Sequence, residues 1–259
     1  MFCTIIGFPL LRPRSVPLWR SFFKKKKLHI KMNSLEIHPK KLKFKLRELF
    51  DNENFLASAV TMPYKKNLYS RVIVKDKLTK FAQSVNLLLK KNKNIYGFNT
   101  DVYGALDTIK KFTKRKIVIY GYGGAGESIT RVLNKIYKKS KISVITSQKR
   151  PKKISNRIDF LKRGDKVDLS NVDIFINCSP LGSNLKKKFI KKSPLNLRDL
   201  SNANPKIRVF DIVYKPKNNL LKKICKKKNI YYVNGLNMNT IQANLALKKV
   251  SEYYKNFKN

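Results

Sequence analysis

Short apolar strands alternate with amphipathic helices along this chain, and one glycine turn sits between such a strand and such a helix. Together they predict an α/β fold in two domains. The turn is GYGGAG at 121–126, preceded by KIVIY at 116–120 and followed by a helix over 127–137. A length of 259 residues lets each of two modest domains bury a core of its own.

Read from the amino end, Cys3 to Gly7 forms a buried strand, and a loop with Pro9, Pro13 and Pro17 follows it. Leu18 to Phe23 reads as helix and His29 to Ile37 as a second strand. Leu42, Leu46 and Leu49 recur at helical spacing within Pro39 to Phe50. Phe55 to Val60 is strand-like; Met62-Pro63 ends it and opens a helix. Val85 to Leu89 reads as a further strand. From about Asp101 a second unit begins. Strand 116–120, helix 127–137 and strand 141–146 (KISVIT) form a βαβ unit of about 30 residues, a size that suits dinucleotides. Val172 to Asn177 and Arg208 to Val213 add two apolar strands, Leu185 to Asp199 reads as a lysine-rich loop, and Asn237 to Phe257 as a closing helix.

Composition narrows the function classes. Hydrophobic residues make up 42%, a globular value. The apolar runs fall far short of the roughly 20 residues a membrane helix needs, which predicts a soluble chain without membrane association. There are 59 Lys+Arg against 15 Asp+Glu, a formal net charge of +44. The lysines recur from Lys24 to Lys258 through every predicted element, which fits compositional bias better than a selected nucleic-acid face. Nucleic-acid binding is therefore expected only as a non-specific effect of charge, while the same field draws anionic small molecules toward a cleft. Cys3, Cys178 and Cys225 form no CxxC pair, which argues against a disulfide framework or a metal site and fits a reducing, cytoplasmic setting. A monomer or a homodimer is compatible with all of this.

Gly121, Gly123 and Gly126 stand at G-x-G-x-x-G spacing, with Gly124 and Ala125 between the last two. The first glycine permits the tight turn, the second lets backbone approach a pyrophosphate, and the third lets helix pack on strand. The helix start adds N–H groups and partial positive charge. The next strand ends in Thr146-Ser147-Gln148-Lys149-Arg150, with no Asp or Glu between Ser128 and Ile158. A cation-bearing end of this kind favours NADP over NAD, with Lys149 or Arg150 on the 2′-phosphate.

Seven segments in order then resemble the shikimate dehydrogenase family: IIGFP at 5–9, AVTMPYK at 59–65, GFNTDVYG at 97–104, YGYGGAG at 120–126, INCSPLG at 176–182, DIVYKPKNNLL at 211–221 and GLNMNTIQA at 235–243. The resemblance spans nearly the whole chain. It implies an N-terminal α/β substrate domain over 1–102, a Rossmann-type NADP domain over 103–236, and a C-terminal helix, 237–259, that returns to the first domain. It also implies reversible, NADP(H)-dependent reduction of 3-dehydroshikimate to shikimate on the route to chorismate. On that likeness Lys65 and Asp101 are the catalytic pair. A lysine in a cleft can give a proton to an oxygen gaining negative charge, and a facing carboxylate can orient it. Asp101 is also placed to cap the helix that follows it. The likeness further assigns Ser15, Thr61, Asn86, Tyr214 and Gln242 to the substrate, and Gly235 to the cofactor beside the glycine turn.

Several positions depart from the family pattern. Pro13 stands where the family has the first of two carboxylate-binding serines, Arg12 where it has a histidine, Ala59 where it has an asparagine, and Thr146-Ser147-Gln148 where it has an NRT segment. Pro13 and Ala59 each remove a polar contact, worth on the order of 1–3 kcal/mol. Arg12 or Arg14 could replace the lost contact by gripping the carboxylate. Two alternatives follow: a relative acting on quinate or another cyclic hydroxy acid, and a catalytically impaired basic protein that binds nucleic acid.

Overall fold

The computed structural model describes residues 1–11, 13–148, 151, 154–165 and 167–258. The chain divides into two compact units, one of residues 1–104 with 240–259 and one of residues 105–239.

The first unit is built on a five-stranded sheet in the order β2-β1-β3-β4-β5. Its elements are β1 (Phe2–Gly7), α1 (Ser15–Lys25), β2 (Lys31–Glu36), α2 (Leu42–Asp51), β3 (Phe55–Val60), α3 (Lys65–Tyr69), α4 (Lys77–Ala82), β4 (Leu87–Lys91) and β5 (Asn94–Phe98); α5 (Thr100–Ile109) carries the chain out. β1 pairs in parallel with β2 and β3, whereas β4 and β5 add on antiparallel. Strand side chains alternate between faces, so Leu87 and Leu89 join a core with Trp19, Phe23, Leu247 and Val250, while Leu88 joins one with Leu42, Leu46 and Leu49. Helices thus cover both faces, as a largely buried sheet requires.

Pro17 lies in the first turn of α1 rather than in the preceding loop. A first-turn proline forfeits only an N–H with no partner inside the helix. In this unit two elements escape a reading by hydrophobic period. α4 begins at Asp76, whose carboxylate caps it by accepting from Thr79 N at 2.7 Å. β5 is joined to β4 through Asn92 at φ 55, and its polar start hides the strand.

The second unit holds a six-stranded parallel sheet in the order β11-β10-β9-β6-β7-β8, a Rossmann-type arrangement. Its elements are β6 (Lys116–Tyr120), α6 (Gly124–Ile136), β7 (Lys141–Thr146), β8 (Ile158–Lys162), β9 (Ile174–Asn177), α7 (Lys187–Ile190), β10 (Arg208–Asp211), α8 (Leu220–Lys227) and β11 (Tyr231–Asn234). Ile117, Ile119, Ile174 and Ile176 face one core; Val118 and Phe175 face the other. The lysine-rich stretch 185–199 contains the single turn α7 rather than loop alone. The last helix, α9 (Leu236–Lys258), brings Thr240 and the residues after it into the first unit, where Ala246, Leu247, Val250 and Tyr254 are core.

Candidate active site

Four strand ends of the first sheet converge. β1, β3 and β5 finish at the same end, and β4 begins there. The connections at that end carry Thr61, Asn86 and the run Asn99-Thr100-Asp101. Thr61 follows β3; its N–H donates to the Ile6 carbonyl at 2.9 Å and its carbonyl accepts from Tyr64 N at 3.1 Å. Buried Tyr64 donates its hydroxyl to the Ile37 carbonyl and anchors the turn. Lys65 is then the first residue of α3.

Lys65 Nζ donates to Asp101 Oδ2 at 2.6 Å, and the two side chains are 19% and 16% exposed. This is the length of a charge-assisted bond, shielded from most solvent. Asp101 lies in the first turn of α5, where the helix dipole favours a carboxylate. It does not cap that helix, as its position in the sequence suggested. Asn99 does so, its Oδ1 accepting from Val102 N at 3.3 Å, and this leaves the Asp101 carboxylate to Lys65. Tyr103, one turn on, donates its hydroxyl to Asp76 and ties α5 to α4. Burial, and then Asp76 beside it, push that phenol upward from its ordinary pKa.

Asn86, Thr100 and Gln242 form one hydrogen-bonded cluster. Thr100 N donates to Asn86 Oδ1 at 2.7 Å, Asn86 Nδ2 reaches Thr100 Oγ1 at 3.0 Å and Gln242 Oε1 at 3.5 Å, and Thr100 Oγ1 lies 3.3 Å from Gln242 Oε1. Ser15 opens α1, half-buried, and Arg14 is that helix's exposed N-cap. Arg12 falls outside the described residues. Ala59 sits in β3 opposite Ile5 and Leu87. Thr100 was not among the residues singled out, although the segment GFNTDVYG contains it; its neighbours Asn99 and Asp101 mask it as an ordinary helix start.

In the second unit the glycine turn lies where the strand order reverses, since β6 has β7 on one side and β9 on the other. Dinucleotides bind in the crevice outside such a point. Gly121 has φ +98, and a Cβ there would lie 2.9 Å from Ser179 N. A Cβ on Gly126 would stand 2.1 Å from the Gly121 carbonyl oxygen, so helix and strand require its absence. A Cβ on Gly123 would meet nothing within 4 Å, and the same holds at Gly124. Open space over the N-terminus of a 13-residue helix suits the pyrophosphate of a nicotinamide dinucleotide. Ala125 is half-buried in that first turn. Glu127, the one acid there, is matched by Arg131, whose Nε and Nη2 reach its Oε1 at 3.0 and 2.9 Å. Its charge is thereby largely offset within α6.

Gly235 is buried for a reason of packing, because a Cβ there would lie 2.1 Å from the Ile212 carbonyl oxygen. Tyr214 is half-buried in the segment after β10. Lys149 and Arg150 lie outside the described residues. A further network escaped the sequence reading. Asp211, 0% exposed, accepts from Asn177 Nδ2 at 2.9 Å, Val213 N at 3.0 Å, Asn219 Nδ2 at 2.7 Å and the Tyr232 hydroxyl at 2.9 Å. Asn177 Oδ1 in turn accepts from Ser179 N and Oγ at 3.0 and 2.6 Å. This network shapes the segments that leave β9 and β10. Burial raises the Asp211 carboxyl from 3.8 to about 6, against the pull of its four hydrogen bonds. A lone acid closing an apolar strand, as in RVFD, is the signal that could have revealed it.

No group of His, Cys, Asp and Glu among the described residues could hold a metal, and no described helix is long and apolar enough to cross a membrane. The fold is that of a two-unit α/β protein with a Rossmann-type domain, the architecture of nucleotide-dependent oxidoreductases. No protein-family model matches the chain. It is 30% identical over 202 residues to the shikimate dehydrogenase (NADP(+)) of Methanococcus vannielii, covering 71% of this chain and 68% of that one. It is 28% identical over 263 residues to that of Methanocaldococcus jannaschii, covering 94% and 89%. A shikimate dehydrogenase crystallised with NADP+ superposes at TM-score 0.80 with 25% identity, over 98% of this chain and 93% of that one. A 5-ketofructose reductase of a Gluconobacter strain shares the fold at TM-score 0.76 with 15% identity, over 99% and 98% of the two chains. The chain belongs to the shikimate dehydrogenase family.

Proposed function

We propose that this protein is an NADP-dependent shikimate dehydrogenase that interconverts 3-dehydroshikimate and shikimate. The observation that carries the reading is the Lys65–Asp101 bond at 2.6 Å, formed at the sheet end whose connections also carry Thr61 and Asn86, with Gln242 of α9 hydrogen-bonded to Asn86. When bound, the nicotinamide supplies the hydride. The protein supplies the proton: the Lys65 ammonium gives it to the carbonyl oxygen as negative charge develops there. Asp101 orients that ammonium. Asn86, Thr61 and Gln242 hold ring hydroxyls. Ser15 and a guanidinium from Arg12 or Arg14 hold the ring carboxylate, offsetting the contact that Pro13 cannot make. Gly123, Gly124 and Ala125 offer backbone to the pyrophosphate, and Lys149 or Arg150 meets the 2′-phosphate.

Purified protein is given shikimate with NADP or with NAD, and the reduced-nicotinamide absorbance is followed. Turnover is expected with NADP, and Lys65→Ala is expected to lose about 10²–10⁴-fold in kcat while still binding cofactor. An unimpaired Lys65→Ala enzyme would reject the role given to the lysine. Pro13 and Ala59 favour a second reading, a relative acting on quinate. Quinate assayed in parallel separates the two by the ratio of kcat/KM.

A further inference from the structure

The orientation of the Asn86 amide in the three-residue cluster is set by chemistry alone. A backbone N–H can only donate, so the Asn86 atom 2.7 Å from Thr100 N is its oxygen. The Asn86 amino group therefore faces the other way, toward Thr100 Oγ1 at 3.0 Å and Gln242 at 3.5 Å. An amino group likewise only donates, so Gln242 must turn its own oxygen toward the pair. The Thr100 hydroxyl, having accepted from Asn86, has two acceptors within reach of its proton, Asn86 Oδ1 at 3.2 Å and that same Gln242 oxygen at 3.3 Å. The Asn86 amino group and the Thr100 hydroxyl thus both present donors to the Gln242 carbonyl oxygen. With its oxygen held there, Gln242 turns its two N–H donors away from the cluster. Thr100 itself is 1% exposed, so it acts on the side chains beside it rather than on a ligand.

We propose that Thr100 is a positioning residue that fixes the amide orientations of Asn86 and Gln242, so that Gln242 offers donors to an oxygen acceptor of the substrate. The proposal rests on the dehydrogenase reading above. It makes the site selective for a hydroxyl or carbonyl oxygen at that point and adverse to a substrate that presents only a donor there. Thr100→Val keeps the shape and the backbone N–H to Asn86 but removes the hydroxyl. Thr100→Ser keeps the hydroxyl.

The experiment compares wild type, Thr100→Val and Thr100→Ser by steady-state kinetics with shikimate. It also records the side-chain amide nitrogen–proton signals of Asn86 and Gln242 without substrate, and melting temperatures to verify folding. Thr100→Val is expected to raise KM for shikimate by about three- to tenfold, the scale of one neutral hydrogen bond, with kcat within about twofold. Its Asn86 and Gln242 amide signals should move, and both effects should vanish in Thr100→Ser. Unchanged KM with unmoved signals in Thr100→Val would overturn the proposal, as would equal impairment in Thr100→Ser. If Thr100→Val does not fold, Thr100→Ala takes its place with the same criteria. If wild type turns over no shikimate, the dehydrogenase reading fails by itself, and the amide signals then decide the role of Thr100: movement in Thr100→Val that Thr100→Ser reverses supports it, and unmoved signals reject it.

Discussion

Gly123 and Gly126 belong to one turn and answer to different constraints. At Gly126 the protein leaves no room, since a Cβ would stand 2.1 Å from a backbone oxygen, whereas around Gly123 there is nothing within 4 Å. A side chain at Gly126 must displace backbone; one at Gly123 displaces only what binds there, and its φ of −76 suits alanine. Gly126→Ala is therefore expected to lower the melting temperature sharply or prevent folding. Gly123→Ala is expected to melt close to wild type and to bind NADP at least about tenfold more weakly, the loss of one to two charge-assisted contacts. Equal NADP affinity in Gly123→Ala, measured by fluorescence titration, would remove the turn from the cofactor site. Spacing in the sequence marked all three glycines and gave each its part, and the room around Gly123 and the lack of it at Gly121 and Gly126 agree with that division. Gly235 shows the limit of such a reading, since its packing against Ile212 explains its identity without a ligand.

At the scale of elements, buried Asp211 holds together the ends of β9 and β10, the start of α8 and strand β11. Asn219 both donates to it and caps α8, accepting from Lys222 N at 2.9 Å. Burial raises this carboxyl from 3.8 to about 6 in the fold. A group so raised contributes stability that is whole below its unfolded pKa and is lost as pH rises through the folded one. The stability of wild type relative to Asp211→Asn should accordingly fall by about 3 kcal/mol in going from below pH 4 to above pH 6. Urea unfolding of both proteins across that window measures it, and a relative stability that rises instead would reverse the assignment. An asparagine there would also set an amino group against two donors, so the variant should melt below wild type at low pH. Periodicity in the sequence located β6, α6 and β7 to within about three residues. It missed α4 and β5 in the first unit and β8, α8 and β11 in the second; α4 is short and held by its Asp76 cap, and β5 owes its place to pairing with β4 rather than to its own apolar content.

At the scale of the whole molecule, the charge of +44 is spread along the sequence rather than gathered in one segment. Exposed lysines close α1 at 24–27 and coat α8 at 223 and 226–228, opposite its buried Leu221, Ile224 and Cys225. Such a field concentrates anions at long range and is screened by salt over about 8–10 Å at ordinary ionic strength. For an anionic substrate and cofactor, kcat/KM is expected to fall as ionic strength rises while kcat changes little. A kcat/KM independent of salt would show that the charge does not serve the reaction. Binding to nucleic acid should show the same salt sensitivity and no preference among sequences; retained preference at high salt would favour the nucleic-acid reading instead.

The sequence by itself determined the α/β alternation, the glycine turn and the order of segments that marks the family. Each is written in local spacing or in short contiguous runs, and local spacing survives without coordinates. Only the tertiary structure decided that Asn99 rather than Asp101 caps the helix, that Thr100 stands between Asn86 and Gln242, and that Asp211 gathers four donors from separate strands and loops. The partners of Thr100 lie 14 and 142 positions away. A hydrogen bond needs its atoms within about 3 Å, and it is the meeting of strand ends with helix α9 at one end of the sheet, not any pattern along the chain, that brings such distant residues within that reach.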